Sequence, residues 1–257
     1  MRHSLAFTIS LFAVTACHTT NPDDAPTDTA TVTDADQDGY PTGEDCDDSN
    51  PGAYLWGPTG QSVTLTTQTA IDDFCPGWEE VACGTGAVTD LAITGEQVND
   101  LSPLTCITSI DGTLSITQTA DLTSLTGLDG ISSIGGNLEL SLNTGLVSLQ
   151  GLNHLTTVGG GVDIYLNSVL PNVDGLALTS VGQYLYITEN PELKHLHGLS
   201  TLTAVGADLC VGYNAKLTNL DGLESLTTVG SLLVQWSERL TELDGLTRIP
   251  HPKKQDA

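Results

Sequence analysis

Aspartates recur at every second position just after residue 33, and a glycine and further aspartates follow them. The pattern matches positions 1, 3, 5, 6, 7 and 12 of a calcium loop, in which oxygen ligands at alternate positions wrap one Ca²⁺ ion. The sequence therefore predicts a weak Ca²⁺ site of the extracellular range in an Asp-rich motif at 34–54. Its predicted ligands are Asp34, Asp36, Asp38, Tyr40 through its carbonyl, Asp45, Asp47 and Asp48.

Two departures separate this motif from an EF-hand pair. Position 12 holds Asp45 rather than glutamate, and no helical pattern flanks the loop. The piece Asp-Cys-Asp-Asp-Ser-Asn-Pro at 45–51 resembles instead the Asp-rich metal-binding repeat of bacterial surface proteins, a relative of the thrombospondin type 3 repeat. The resemblance implies metal binding, and the alternative is a solvated acidic linker.

An internal repeat between Leu91 and Ile249 makes up most of the remaining chain. Successive repeats start 24, 24, 23, 24 and 23 residues apart, at Leu114, Leu138, Val162, Leu185, Leu209 and Leu232. A period of about 20–29 residues indicates a solenoid. One coil has a single layer of apolar residues, so coils of this kind are stable only when they stack.

Each repeat opens with two apolar residues on one face of a strand, as Leu138 and Leu140 show. A turn residue follows, at Thr119, Asn143, Asn167, Asn190, Asn214 and Ser237. Their side chains are predicted to hydrogen-bond main-chain groups where the chain leaves the strand, and stacked asparagines would form a ladder.

After the turn the apolar period becomes three, which fits short 3₁₀-like or extended turns. A glycine precedes the third apolar residue of this run in six repeats, at Gly127, Gly151, Gly175, Gly198, Gly222 and Gly245. A glycine at this position predicts a positive φ or close contact between coils. A weaker coil that starts at Leu91, with Pro103 in place of the glycine, brings the total to about seven.

The pattern Val-Gly-x-x-Leu-x-Ile-x-x-Asn-x-x-Leu-x-x-Leu-x-Gly-Leu resembles the receptor L domain. That domain is the leucine-rich, right-handed parallel β-helix of the insulin and epidermal growth factor receptors, and bacterial surface lipoproteins carry similar repeats. The resemblance covers 88–250 and implies a mainly β solenoid that binds a ligand on its surface. The ordinary leucine-rich repeat fits less well, because Gly135 and Gly206 stand where it has leucine.

The first seventeen residues have a basic start, an apolar run and small residues before a cysteine, which predicts a secretory signal peptide. Val-Thr-Ala-Cys resembles the bacterial lipobox, which implies lipidation of Cys17; the alternative is an ordinary signal peptide with a chance cysteine. His18, in place of an aspartate, favours the outer membrane of the cell envelope. The polar stretch 18–33 predicts a disordered tether.

The segment 55–87 is interpreted as an N-terminal cap on the first coil, and 251–257 as a tail. Secretion permits disulfides, but the connectivity stays open among Cys46, Cys75, Cys83, Cys106 and Cys210. Cys210 is predicted to be the free thiol, because it lies alone among the later repeats at an outward strand position.

The formal net charge of −25 argues against nucleic acid and against electrostatic attraction to anionic lipid. It favours a cationic partner or divalent ions, although solubility explains it more simply. Aromatic and polar side chains at outward strand positions suit contact with a protein or glycan. This predicted binding surface consists of Glu139, Asp163, Tyr165, Tyr186, Thr188, Tyr213 and Trp236; the alternative is an ordinary exposed sheet.

The sequence therefore predicts a lipid-anchored, surface-exposed binding or adhesion protein with Ca²⁺ as its cofactor and a protein or glycan as partner. The alternative is a structural envelope protein without a discrete ligand. No catalytic set is supported by spacing, so an enzyme is not expected. A two-histidine metal site at His195 and His197 is less favoured than a solvated turn.

Overall fold

The computed structural model describes residues 62–75, 87–241, 244–246 and 248. The predicted signal peptide, tether, calcium loop and tail lie outside these residues. Among the described residues, no helix is long and apolar enough to cross a membrane.

A column of long strands and a column of short strands run along the chain, one of each per coil. The long column contains β1 (Val63–Leu65), β3 (Leu91–Thr94), β5 (Leu114–Thr117), β7 (Leu138–Ser141), β9 (Val162–Tyr165) and β11 (Leu185–Thr188). The short column contains β2 (Ala87–Val88), β4 (Ser109–Ile110), β6 (Ser133–Ile134), β8 (Thr157–Val158) and β10 (Ser180–Val181). Both columns end on the merged strands β12 (Ala204–Gly212) and β13 (Thr228–Gln235).

Every pairing is parallel and joins the same position of neighbouring coils. Leu138, for example, pairs with Leu114 on one side and with Val162 on the other. Identical positions therefore stack in rows about 4.8 Å apart. The predicted mainly β solenoid of about seven coils is confirmed.

The core consists of the inward leucine, isoleucine and valine rows, which are almost fully buried from Leu91 to Leu226. Each buried side chain contributes roughly 1.5–3 kcal/mol. In β13 the equivalent Leu232 and Val234 are only half-buried, because no further coil follows them among the described residues.

The runs of period three are tight turns. They form 3₁₀ helices at Ser102–Cys106, His197–Leu199 and Asp244–Leu246. In the other coils, bonds three residues apart hold the turn, such as Leu152 N–H to the Leu149 carbonyl at 3.2 Å. The prediction of 3₁₀-like or extended turns is confirmed. The prediction that the recurring glycines have a positive φ or touch the neighbouring coil is confirmed as well: Gly151 has φ 114°, and a Cβ on Gly198 would overlap the Val173 carbonyl.

The asparagine ladder is confirmed for the five turn residues from Thr119 to Asn214, all of which are fully buried. Asn143, for instance, donates through its side chain to the Ile116 carbonyl at 2.8 Å. Its main-chain N–H donates to Oδ1 of Asn167 in the next coil at 3.2 Å. The side chains therefore link three coils.

A short helix, α1 (Gln68–Asp72), follows β1 at the N-terminal end of the sheet. Thr67 caps it by accepting from Ala70 N–H, and Ile71 is fully buried. The Gln68 carboxamide oxygen accepts from the N–H groups of Asn99 and Asp100, both at 3.0 Å, so the helix is tied to the first coil.

A disulfide joins Cys75, which follows α1, to Cys106 on the first coil. The sequence left this connectivity open. Cys210 is a free thiol, as predicted. Cys46 and Cys83 lie outside the described residues.

Replacing Cys75 and Cys106 together by serine is expected to destabilise the N-terminal end of the solenoid by about 2–4 kcal/mol. The bond closes a loop of 31 residues, and its loss returns that loop's entropy to the unfolded chain. Hydrogen exchange of the amides in β1 and β3 measures the effect. The matched control is Cys210→Ser, which removes a thiol but no cross-link. Equal exchange in both variants would contradict a stabilising role of the disulfide.

Candidate functional site

The candidate site is the outward side of the long strands, hereafter the long-strand face. Parallel register arranges its side chains in two rows across the coils. One row contains Ser115, Glu139, Asp163, Tyr186, Cys210 and Leu233. The other contains Thr117, Ser141, Tyr165, Thr188, Gly212 and Gln235. Five of the seven predicted surface residues thus lie on one face, and the other two follow its strands.

Two carboxylates lie side by side on this face. Glu139 pairs in register with Asp163, and both side chains are half-buried. Burial, and then the charge of Glu139, raise the pKa of the Asp163 carboxyl above its ordinary value. Within the described residues, neither carboxylate has a hydrogen-bond or ion-pair partner. The site therefore holds negative charge that its own neighbours do not neutralise.

Tyr184, which was missed in the sequence, lies near enough to this carboxylate pair to be affected by both charges. A Cβ on Gly161, one coil earlier, would overlap the Tyr184 ring, so the ring lies directly on that glycine. Its centroid is 4.6 Å from that of Tyr186, with 33° between the planes. Burial, and then the charges of Asp163 and Glu139, raise the pKa of the Tyr184 hydroxyl. The sequence feature that could have indicated this contact was Gly161, the third of three consecutive glycines.

A second row lies where each long strand ends, hereafter the strand-exit row. It contains Gln118, Leu142, Leu166, Glu189, Tyr213 and Trp236, all with φ between 50° and 60°. Left-handed backbone costs a residue other than glycine about 1–2 kcal/mol. None of these six residues is a glycine, so the residue types did not reveal their conformation, although the equivalent position of the first coil holds Gly95 with φ 131°.

The last two members of the strand-exit row form an exposed aromatic pair. Tyr213 is 46 % exposed and Trp236 is 71 % exposed. Their rings are stacked, with centroids 6.1 Å apart and 13° between the planes. Large aromatic surface left in water is typical of a contact surface rather than of a core.

His195 and His197 lie outside the long-strand face. Their rings stack at 4.2 Å, and Nδ1 of His195 is 3.9 Å from an oxygen of Asp174. Across the described residues, no group of three or more His, Cys, Asp or Glu side chains is placed to hold a metal ion. This finding does not reach Cys17 or the predicted calcium ligands Asp34, Asp36, Asp38, Tyr40, Asp45, Asp47 and Asp48, which lie outside the described residues.

A groove of about 410 Å³ runs along the short-strand column. Ser133, Thr157 and Ser180 line it together with exposed glycines. The glycines are required by packing, since a Cβ on Gly159 would overlap the Gly135 carbonyl. Asp111 is the one charged residue in its lining. The groove therefore lacks the convergent charged and aromatic groups that mark the long-strand face.

Comparison with known proteins found no matching family model, no matching curated protein and no matching solved structure.

Proposed function

We propose that this chain is a membrane-anchored, surface-exposed, non-catalytic binding or adhesion lipoprotein that recognises a protein or glycan through its long-strand face and strand-exit row. The observation that carries the proposal is the exposed pair Tyr213 and Trp236 on left-handed backbone. The left-handed backbone recurs in six coils and belongs to the turn, so the exposed aromatic surface of the pair is what points to binding.

The residue types at these positions support binding rather than folding. Among the described residues, the turn after the long strand has positive φ at this position in seven coils, and glycine adopts such backbone at the least cost. The first coil has Gly95 at this position, with φ 131°, whereas the six later coils have other residues there, among them Tyr213 and Trp236. Because Tyr213 and Trp236 bury little of their surface, the fold gains little from them in return.

The proposed localisation rests on the resemblance of residues 14–17 to a lipobox. A lipobox cysteine carries several acyl chains, which anchor a protein stably, and here the anchor would be in the bacterial outer membrane. The Asp-rich motif between anchor and solenoid would bind Ca²⁺ and stiffen the connection. The resemblance of the repeat to the receptor L domain supports ligand binding by the solenoid.

The proposed function predicts that changing Tyr186, Tyr213 and Trp236 together to alanine abolishes partner capture without unfolding the chain. Residues 18–257 are immobilised and exposed to envelope and extracellular proteins and to glycan arrays, in Ca²⁺ and again in chelator. The loss follows from removing the aromatic contact area that dominates interfaces of this kind. Circular dichroism and the melting temperature verify folding.

The matched control changes Lys194, His197 and Thr218 to alanine, three exposed residues on the turns that follow the strands. It should capture as the unaltered chain does. Capture that survives in the aromatic variant would place the binding site elsewhere. No capture from any source, with or without Ca²⁺, would favour the structural envelope protein instead.

A further inference from the structure

We infer that the partner of the long-strand face is a protein that presents a basic segment. Its lysine or arginine side chains bind between the carboxylates of Glu139 and Asp163 and the rings of Tyr184 and Tyr186. This inference rests on the proposed function and specifies the chemistry of the partner.

The first observation is the carboxylate pair. Register places Glu139 and Asp163 on adjacent strands, about 4.8 Å apart along the column. Like charges this close repel each other, and partial burial strengthens the repulsion. A cation placed between them reverses the interaction and supplies the hydrogen-bond donors that both carboxylates lack among the described residues.

The second observation is aromatic. The rings of Tyr184 and Tyr186 lie close together, at 4.6 Å, beside the two carboxylates. The face of a tyrosine ring attracts ammonium and guanidinium groups. Carboxylates and ring faces thus favour the same ligand charge, although they act through different interactions.

The arrangement occurs a second time on the strand-exit row. Asp163 is followed at the same position of the next coil by Tyr186, and Glu189 is followed by Tyr213. Trp236 then stacks on Tyr213. A segment with several basic residues would meet a carboxylate next to an aromatic ring at both places.

No basic residue in the part of the chain that the structure describes neutralises this face. The lysines and arginines of the described residues are Lys194, Lys216, Arg239 and Arg248. None of them lies in a long strand or in the strand-exit row, and Lys216 pairs with Glu192 at 2.6 Å. The formal net charge of −25 adds long-range attraction for a basic partner.

Other ligand classes fit less well. An apolar or neutral partner would bury the two carboxylates without an opposite charge, which is costly. A Ca²⁺ ion takes six to eight oxygen ligands, and across the described residues no third acidic side chain joins the pair in a group placed to hold a metal ion. A basic side chain needs only the carboxylates and the rings that are present.

The test measures binding of hexa-arginine and hexalysine peptides to the full chain by calorimetry at physiological ionic strength, with hexaglutamate as the negative probe. The double variant Glu139→Gln, Asp163→Asn is expected to bind the basic peptides at least about tenfold more weakly, because it removes the charge-assisted hydrogen bonds. The matched control, Glu96→Gln with Asp121→Asn, changes the net charge equally at exposed residues off the face.

Variants at Tyr184 separate the ring from the charge. Tyr184→Phe should keep most of the affinity, whereas Tyr184→Ala should weaken binding several-fold. Gly161→Ala should do likewise, because its methyl group displaces the Tyr184 ring without altering either carboxylate. Circular dichroism of each variant shows whether the fold is retained.

Equal weakening in the double variant and its charge-matched control would show nonspecific attraction only and would overturn the inference. The inference would also be overturned if the basic peptides failed to bind while the chain still captured another partner through Tyr186, Tyr213 and Trp236. In that case the proposed function would stand. A chain that binds neither basic peptides nor any other partner overturns both.

Discussion

Gly151→Ala is expected to lower the free energy of unfolding by more than about 4 kcal/mol, a loss that few single substitutions cause. Gly151 has φ 114°, where a side chain is strained. Its new Cβ would also overlap the carbonyl carbon and oxygen of Leu125 in the previous coil. These are main-chain atoms beside the fully buried Leu125 and Leu152 side chains, so neither coil can move away without opening the core.

The measurement is urea unfolding followed by circular dichroism. Gly212→Ala is the matched control, because Gly212 is equally buried but has no positive φ. Its new Cβ would lie 3.0 Å from the side-chain Cγ of Gln235, which can shift, and 3.2 Å from the Gln235 carbonyl oxygen, a far milder contact than Gly151 would make. We expect a change within about 1 kcal/mol there. A Gly151→Ala variant as stable as Gly212→Ala would mean that contact between coils does not require this glycine.

The repeat made most of the solenoid predictable. Because the strands pair in register, one interpretation of Leu138, Leu140 and Asn143 applies to every coil, and the structure buries the equivalent residues in the same way. The period of the apolar pattern fixed the number of coils, and the recurring glycine before the third apolar residue fixed where the coils touch.

Features that no recurring residue type marks were not predictable. Tyr184 lies on Gly161 only because the ring reaches back across a coil boundary, and local patterns carry no information about that distance. Cys75 meets Cys106 because α1 packs on the first coil, although 31 residues separate them. The left-handed backbone at Leu142 and Trp236 is invisible in residue types that usually avoid it.

The candidate site was predictable in part because its residues lie on the repeated strands. Alternation within a strand identified Glu139, Asp163 and Tyr186 as outward residues, which the register then placed in one row. Among the described residues neither carboxylate has a hydrogen-bond partner, and this depends on the surrounding side chains, which only the structure shows. Solubility was the simplest explanation of the net charge, and the alternatives, a cationic partner or divalent ions, came with no location for a contact.

Asn167→Ala is expected to lower the free energy of unfolding by about 3–5 kcal/mol, since it leaves buried main-chain groups without partners. The Asn167 side chain donates to the Leu140 carbonyl at 2.9 Å and accepts from the Asn143 N–H at 3.2 Å. The position is fully buried, so water cannot replace either bond without opening the coil. Chemical unfolding measures the loss.

The matched control is Asn153→Ala, whose side chain bonds only Gln150 on the exposed turn, at 3.0 Å. It should change stability by less than about 0.5 kcal/mol. Asn167→Asp tests the donor separately. A carboxylate still accepts from the Asn143 N–H, but it has no hydrogen to donate to the Leu140 carbonyl, and it places a charge in the core. At neutral pH it should therefore be at least as damaging as alanine. If Asn167→Ala were as mild as Asn153→Ala, the ladder would be a consequence of stacked coils rather than a cause of their stability.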